Sequence, residues 1–263
     1  MLLPGHYVEK PWGRTDLPAI FAGAAGRRIG EVWFDKPDEA LPLLVKWLFT
    51  SEHLSVQVHP NDAQARMAGA LRGKEECWFI VAAEPGATVG IGTTRPLSPE
   101  ELKDASIFGE IESLIDWKPA TPGDFWFIPA GTVHAIGAGV KLVEIQQNSD
   151  MTYRLYDYGR PRELHLAESM AVSKPEPYTD TRAGNWLQAA PGELMACEHF
   201  RIFKLTAGNV ASLHGSAPVW VTPILGEALV NGTTVPIGAC AYAPKGLTSF
   251  VGEPALLAMA GNG

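Results

Sequence analysis

The stretch Gly123-Asp124-Phe125-Trp126-Phe127-Ile128-Pro129-Ala130-Gly131-Thr132-Val133-His134 decides the fold. A glycine opens a run of aromatic and β-branched residues that suits a pleated strand. Pro129 fixes φ and Gly131 permits a positive φ, so Pro-x-Gly predicts a tight turn that aims His134 inward.

Working outward, the next informative stretch is Leu54-Ser55-Val56-Gln57-Val58-His59-Pro60. Its apolar and polar residues alternate with period two, the pattern of a half-buried strand. Leu54, Val56 and Val58 then share one face, and Ser55, Gln57 and His59 share the other. Gln57 and His59 offer an amide oxygen and an imidazole on a rigid element, and His134 and Glu76 are candidate companions for holding a metal. Taken alone, the pair fits a solvated strand face equally well. Glu76 begins a further predicted strand to Val81, with Trp78 and Ile80 on its face. Cys77 points to the other face, away from any ion at Glu76.

The 263 residues carry 46% hydrophobic and 19% charged side chains, enough for one large domain or two small ones. A net charge of −8 and the absence of a basic run argue against nucleic acid and anionic membrane surfaces. No apolar run approaches the ~20 residues of a spanning helix, and the N-terminal residues lack a signal-peptide pattern. Cys77, Cys197 and Cys240 are few and scattered, which reads as reduced thiols in a cytoplasmic protein.

Gly and Pro punctuate many short β-type runs, so a sandwich or barrel is expected. Arg28–Phe34 and Leu43–Phe49 read as strands; Lys46 interrupts the second and must reach a partner or snorkel to water. Residues 61–71 read as a short helix capped by Asn61 and closed by Gly73. Ser98-Pro99-Glu100-Glu101 is a strong helix start. That helix is expected to run to about Trp117, burying Leu102, Ile107, Phe108, Ile111, Leu114 and Ile115. Leu142–Gln146 is a strand that places Glu144 beside Leu142 and Gln146. The polar residues 147–157, including Arg154, read as a loop or a site.

Residues 176–194 read as a linker. Beyond it, Gly238-x5-Pro244-x-Gly246 repeats the spacing of Gly123-x5-Pro129-x-Gly131, with Ser249 where His134 would stand. The expected organisation is therefore a catalytic β-domain with helical insertions over 1–175, the linker, and a degenerate β-domain over 195–263 without a metal ligand at Ser249.

The spacing Gly123-x5-Pro129-x-Gly131-x2-His134 resembles the second cupin motif, and Gln57-x-His59 with a displaced Glu76 resembles the type I phosphomannose isomerase family. The similarity runs from about Trp12-Gly13 to Ser173. It includes Pro42–Lys46, Leu54–Asp62, Gly73–Trp78, Pro129–Ile136 and Glu144–Asp157. Gly73 stands where some bacterial relatives carry a histidine beside the lysine. The resemblance implies two jelly-roll cupin domains, mainly β, and one zinc ion per chain held by Gln57, His59, Glu76 and His134. It also implies a sugar-phosphate substrate with its phosphate at Lys46 and Ser55, and Lys74, Glu144 and Arg154 around the reacting carbons. The expected reaction interconverts mannose 6-phosphate and fructose 6-phosphate through a cis-enediol, with Glu144 or Lys74 as the base. Two rival readings stay open at this point: an iron-dependent cupin dioxygenase, which consumes oxygen, and a non-catalytic sugar-phosphate sensor.

Overall fold

The structure is a computed structural model that describes residues 1–261 except 25, 37, 38 and 214–216. A seven-stranded antiparallel sheet forms its centre. In spatial order its strands are Gly5–Arg14, Ile29–Phe34, Leu43–Phe49, Val140–Gln147, Glu76–Ala83, Asp124–Ile128 and Ala183–Asn185. A five-stranded sheet faces it: Tyr153–Tyr156, Val56–Val58, His134–Ile136, Thr88–Thr93 and Ile115–Pro119. These two sheets make the jelly-roll barrel that the resemblance implies.

The C-terminal residues form a second sheet pair. Gly192–Ala196, Phe200–Leu205, Ala255–Ala260, Val219–Pro223 and Ala241–Ala243 make one sheet, and Thr233–Val235, Ala228–Val230 and Phe250–Gly252 the other. Gly123 and Gly131 have φ of 93° and 90°, and the matching Gly238 and Gly246 have 76° and 82°. The repeated Gly/Pro spacing therefore reflects the same left-handed backbone at both places, which residues with a Cβ rarely adopt.

Alternation distributes each strand's side chains between two cores. Trp78, Ile80 and Leu142 face the five-stranded sheet and pack with Val89, Ile91 and Ile136. Cys77, Phe79, Val143 and Ile145 face the other way and pack with Phe200, Ile202, Trp220 and Leu256. The seven-stranded sheet is thus covered on both faces, which is why all seven residues of Leu43–Phe49 are buried.

The helices are shorter than expected. Asn61 and Gln64 form a capping box, but the helix spans only Asp62–Met67; Gly69 has φ of 82°. Ser98 and Glu101 likewise cap Pro99–Phe108, which stops at Gly109 in the left-handed conformation. A separate turn, Ile111–Leu114, follows, and Ile115 already enters a strand. Leu102 and Ile111 are buried as expected, whereas Ile107 and Phe108 are 49% and 75% exposed. A stripe extrapolated through Gly109 loses its phase at the break.

The stretch 176–194 holds structure of its own. Ala183–Asn185 pairs with Asp124–Ile128, and Trp186 is buried. Lys204 Nζ donates to the carbonyls of Leu187 and Ala189 at 2.9 and 2.8 Å, pinning the chain beyond the strand.

Candidate metal centre and substrate cavity

The barrel's two sheets bring the expected ligands together. Gln57 pairs in register with His134 on the five-stranded sheet. Gln146 pairs with Glu76, and Glu144 with both Lys46 and Trp78, on the seven-stranded sheet. His59, Glu76 and His134 are all buried and form the one cluster among the described residues with three donors placed for a metal.

Backbone carbonyls fix both imidazoles. His59 Nδ1 lies 2.9 Å from Met151 O, and His134 Nδ1 lies 2.8 Å from Thr132 O. A carbonyl only accepts, so each Nδ1 carries the proton and donates. In the neutral rings each Nε2 is then a bare acceptor. Those two nitrogens converge on a carboxylate. His59 Nε2 lies 3.4 Å from Glu76 Oε2, and His134 Nε2 lies 3.5 Å from Glu76 Oε1.

The two Nε2 atoms and the Glu76 carboxylate have no proton to share among themselves; the ammonium of Lys74 reaches His59 Nε2 and Glu76 Oε2 from one side. Gln57 completes the set: its amide nitrogen lies 3.3 Å from His134 Nε2, and its oxygen accepts from Ser55 Oγ. A half-turn of the amide exchanges those ends. Donors bound tetrahedrally at zinc distances are about 3.4 Å apart, close to the 3.4 and 3.5 Å of the two histidine–Glu76 contacts. The chemistry of the donor set and its geometry both fit a zinc-like cation.

Lys74 bounds this group. Its Nζ is 2.8 Å from Glu76 Oε2, 3.1 Å from His59 Nε2 and 3.7 Å from Glu144 Oε1. Burial alone would raise the Glu76 carboxyl, but the Lys74 ammonium beside it holds it well below the usual carboxylate range. Burial, then Lys74, pushes His59 down to about 3, so it stays neutral and able to ligate. Burial would lower Lys74, but Glu144 and Glu76 outweigh it and raise this ammonium, which remains protonated.

Above the cluster opens a cavity of about 310 Å³. Ser55, Gln57, Lys74 and Glu144 line it, together with Lys46 and Arg154. It therefore brings together every expected catalytic and phosphate-binding residue. Lys46 does not snorkel: it is buried, with Nζ 3.4 Å from Glu144 Oε1 and 4.4 Å from the centre of the Trp33 ring. Burial and the Glu76 charge raise the Glu144 carboxyl against the pull of Lys74 and Lys46. Glu144 Oε2 also accepts from Trp78 Nε1 at 3.2 Å. Arg154 forms no ion pair among the described residues, and its buried Nε has no partner.

The cavity contains functional candidates that the sequence reading missed. Lys10, Glu31, Trp33, Arg162 and His165 all line it. Trp33 Nε1 donates to Glu31, and Lys10 pairs with Glu31 at 3.3 Å. Glu31 and Trp33 are two residues apart on one strand, so a period-two reading of Arg28–Phe34 would have placed them on one face. Arg162 donates twice to buried Asp157 at 2.6 Å. Its arrival depends on a loop path that no periodicity encodes. With Lys10, Lys46, Lys74, Arg154 and Arg162 against Glu31, Glu144 and Asp150, the cavity is cationic in a chain of net charge −8.

The jelly-roll barrel and its buried donor set define a cupin with a candidate metal centre. The family model "Phosphomannose isomerase type I, catalytic domain" matches residues 19–82. The mannose-6-phosphate isomerase of Streptococcus mutans serotype c is 34% identical over 207 residues, covering 74% of this chain and 64% of that protein. ManA of Bacillus subtilis, a mannose-6-phosphate isomerase, is 39% identical over 211 residues, covering 75% and 66%. The matches thus span just under two thirds of those relatives' lengths. A crystal structure of the Bacillus subtilis mannose 6-phosphate isomerase superposes with a TM-score of 0.78 at 26% identity, covering 98% of both chains. A phosphomannose isomerase mutant from Salmonella typhimurium shares the fold, with a TM-score of 0.67 at 16% identity over 99% of this chain and 98% of that one. The chain is thus similar to the type I phosphomannose isomerases, in the stretch that the family model matches and in its curated relatives.

Proposed function

We propose that the chain interconverts mannose 6-phosphate and fructose 6-phosphate with one zinc ion per chain. The observation that carries this reading is the convergence of buried His59, Glu76 and His134 beside a cationic cavity that Gln57 and Lys74 line. Gln57, His59, Glu76 and His134 would hold the zinc. When bound, it supplies a Lewis acid that lowers the energy of negative charge on the sugar oxygens.

The remaining chemistry falls to the protein's own groups. Lys46 and Ser55 receive the phosphate. Glu144, a carboxylate on the cavity wall, takes the proton from C2 of the open-chain aldose and returns it to C1 of the cis-enediol. Lys74, kept protonated by Glu144 and Glu76, acts electrostatically, and Arg154 adds positive charge near the developing oxyanion. We further propose that 1–175 is the catalytic unit and that 195–263 is a degenerate cupin unit joined to it by 176–194. The repeated left-handed glycines support that division.

A coupled assay for fructose 6-phosphate formation, run beside elemental analysis, tests the function. Zinc-dependent turnover is expected; binding of mannose 6-phosphate without turnover would overturn it in favour of a sensor.

A further inference from the structure

The strand Tyr153–Tyr156 is joined to His165 by a reciprocal backbone and side-chain clamp. His165 N–H donates to Arg154 O at 2.9 Å, and Arg154 N–H donates to His165 Nδ1 at 3.2 Å. A backbone N–H only donates, so Nδ1 accepts and carries no proton. In this geometry the imidazole is neutral, with its hydrogen on Nε2. The ring also lies against Tyr153, with centroids 6.1 Å apart at 53°. Its orientation and tautomer are thus both set by neighbours.

His165 lines the cavity, and its Nε2 has no hydrogen-bond partner among the described residues. Most of the cations on that wall are already engaged: Lys10 by Glu31, Lys46 by Glu144, Lys74 by Glu76 and Arg162 by Asp157. Arg154 and His165, tied together through the backbone, keep donors without a protein acceptor.

We propose that His165 donates a hydrogen bond from Nε2 to an oxygen of the bound sugar phosphate, beside Arg154. This rests on the isomerase reading above. The group keeps its proton, because losing it would leave an imidazolate. It therefore holds and polarises an oxygen without exchanging a proton.

Two substitutions separate the donor from the clamp. His165→Asn keeps an acceptor near the position of Nδ1 but lacks the distant N–H. His165→Gln restores an N–H near the position of Nε2. With melting temperature as the control for folding, His165→Asn is expected to lower kcat/KM for mannose 6-phosphate about tenfold, and His165→Gln to recover most of it. Ring ¹⁵N spectra of the wild type should show a protonated Nε2, whose signal shifts on adding fructose 6-phosphate. Wild-type kinetics in both variants, a proton on Nδ1, or an unmoved Nε2 signal would each overturn the assignment. Absence of turnover by the wild type would overturn the isomerase reading instead; the ¹⁵N titration still decides whether His165 meets a sugar phosphate.

Discussion

Gln57 and His134 lie opposite one another in adjacent antiparallel strands, with their side-chain nitrogens 3.3 Å apart. The pairing register, not sequence proximity, makes them neighbours, since 77 residues separate them. A one-residue slip would turn one of the two side chains to the opposite face. The donor set is therefore as rigid as the sheet.

Removing one member of that set should release the metal. His134→Ala deletes a bare Nε2 acceptor from a buried cluster. Metal affinity should fall at least about a hundred-fold, with activity lost in parallel. Chelator competition and the zinc dependence of kcat measure both effects. Full activity in a metal-free preparation would sink the proposed role of zinc.

Glu144 is the proposed base and also the counter-charge of two buried ammonium groups. Glu144→Gln should lower kcat by about a hundred-fold or more while leaving KM nearly unchanged. It should also lower the melting temperature, because Lys46 loses the carboxylate that it meets at 3.4 Å. Retained exchange of the C2 hydrogen with solvent in this variant would assign the base elsewhere.

Lys46→Met keeps an unbranched side chain only one atom shorter and removes its charge. The phosphate contact persists from ground state to transition state, so its loss should appear mainly in KM. A rise of roughly ten- to a hundred-fold is expected, equivalent to about 1.5–3 kcal/mol. Unphosphorylated mannose should hardly respond; an equal fall in kcat/KM for both sugars would remove Lys46 from the phosphate site.

Much of this site is legible in the sequence. The period-two runs through Gln57, Glu76 and Glu144 assigned faces correctly, because alternation is a local property of strands. The turn at Pro129–Gly131 was legible for the same reason, since its chemistry is that of adjacent residues. Lys46 could not be resolved from sequence: a lone lysine in an apolar strand is equally compatible with water and with a buried partner. Its partners, Glu144 and Trp33, come from strands on either side. Gly109 was missed as a helix stop because its neighbours continue the apolar pattern. Arg162 and His165 were missed because a loop delivers them.

The C-terminal sheets should hold no second metal. Ser249 donates its N–H to Asn231 Oδ1 and is exposed, where His134 is fully buried. The measured ratio of zinc to chain should be close to one, and a ratio near two would contradict the assignment.

Gly73 is a packing requirement. A Cβ there would stand 2.4 Å from Asn61 C and 2.5 Å from Pro60 O. Gly73→Ala should cost about 1–3 kcal/mol in stability, read by denaturant unfolding. It should also weaken metal binding, since Pro60 follows the ligand His59. An alanine variant with wild-type stability and zinc affinity would show that the backbone yields there without consequence.

Trp47 Nε1 donates to Gly238 O at 2.9 Å, and Trp47 shares its core with Trp220 and Leu256. The consequence is energetic communication along the chain's whole length. Occupation of the metal centre at 100 times its dissociation constant stabilises the folded state by about 2.7 kcal/mol. A continuous core passes that gain to the C-terminal sheets. The fluorescence of Trp220, buried among the C-terminal strands, becomes a remote thermometer of ligand occupancy: its unfolding midpoint should climb as zinc is added.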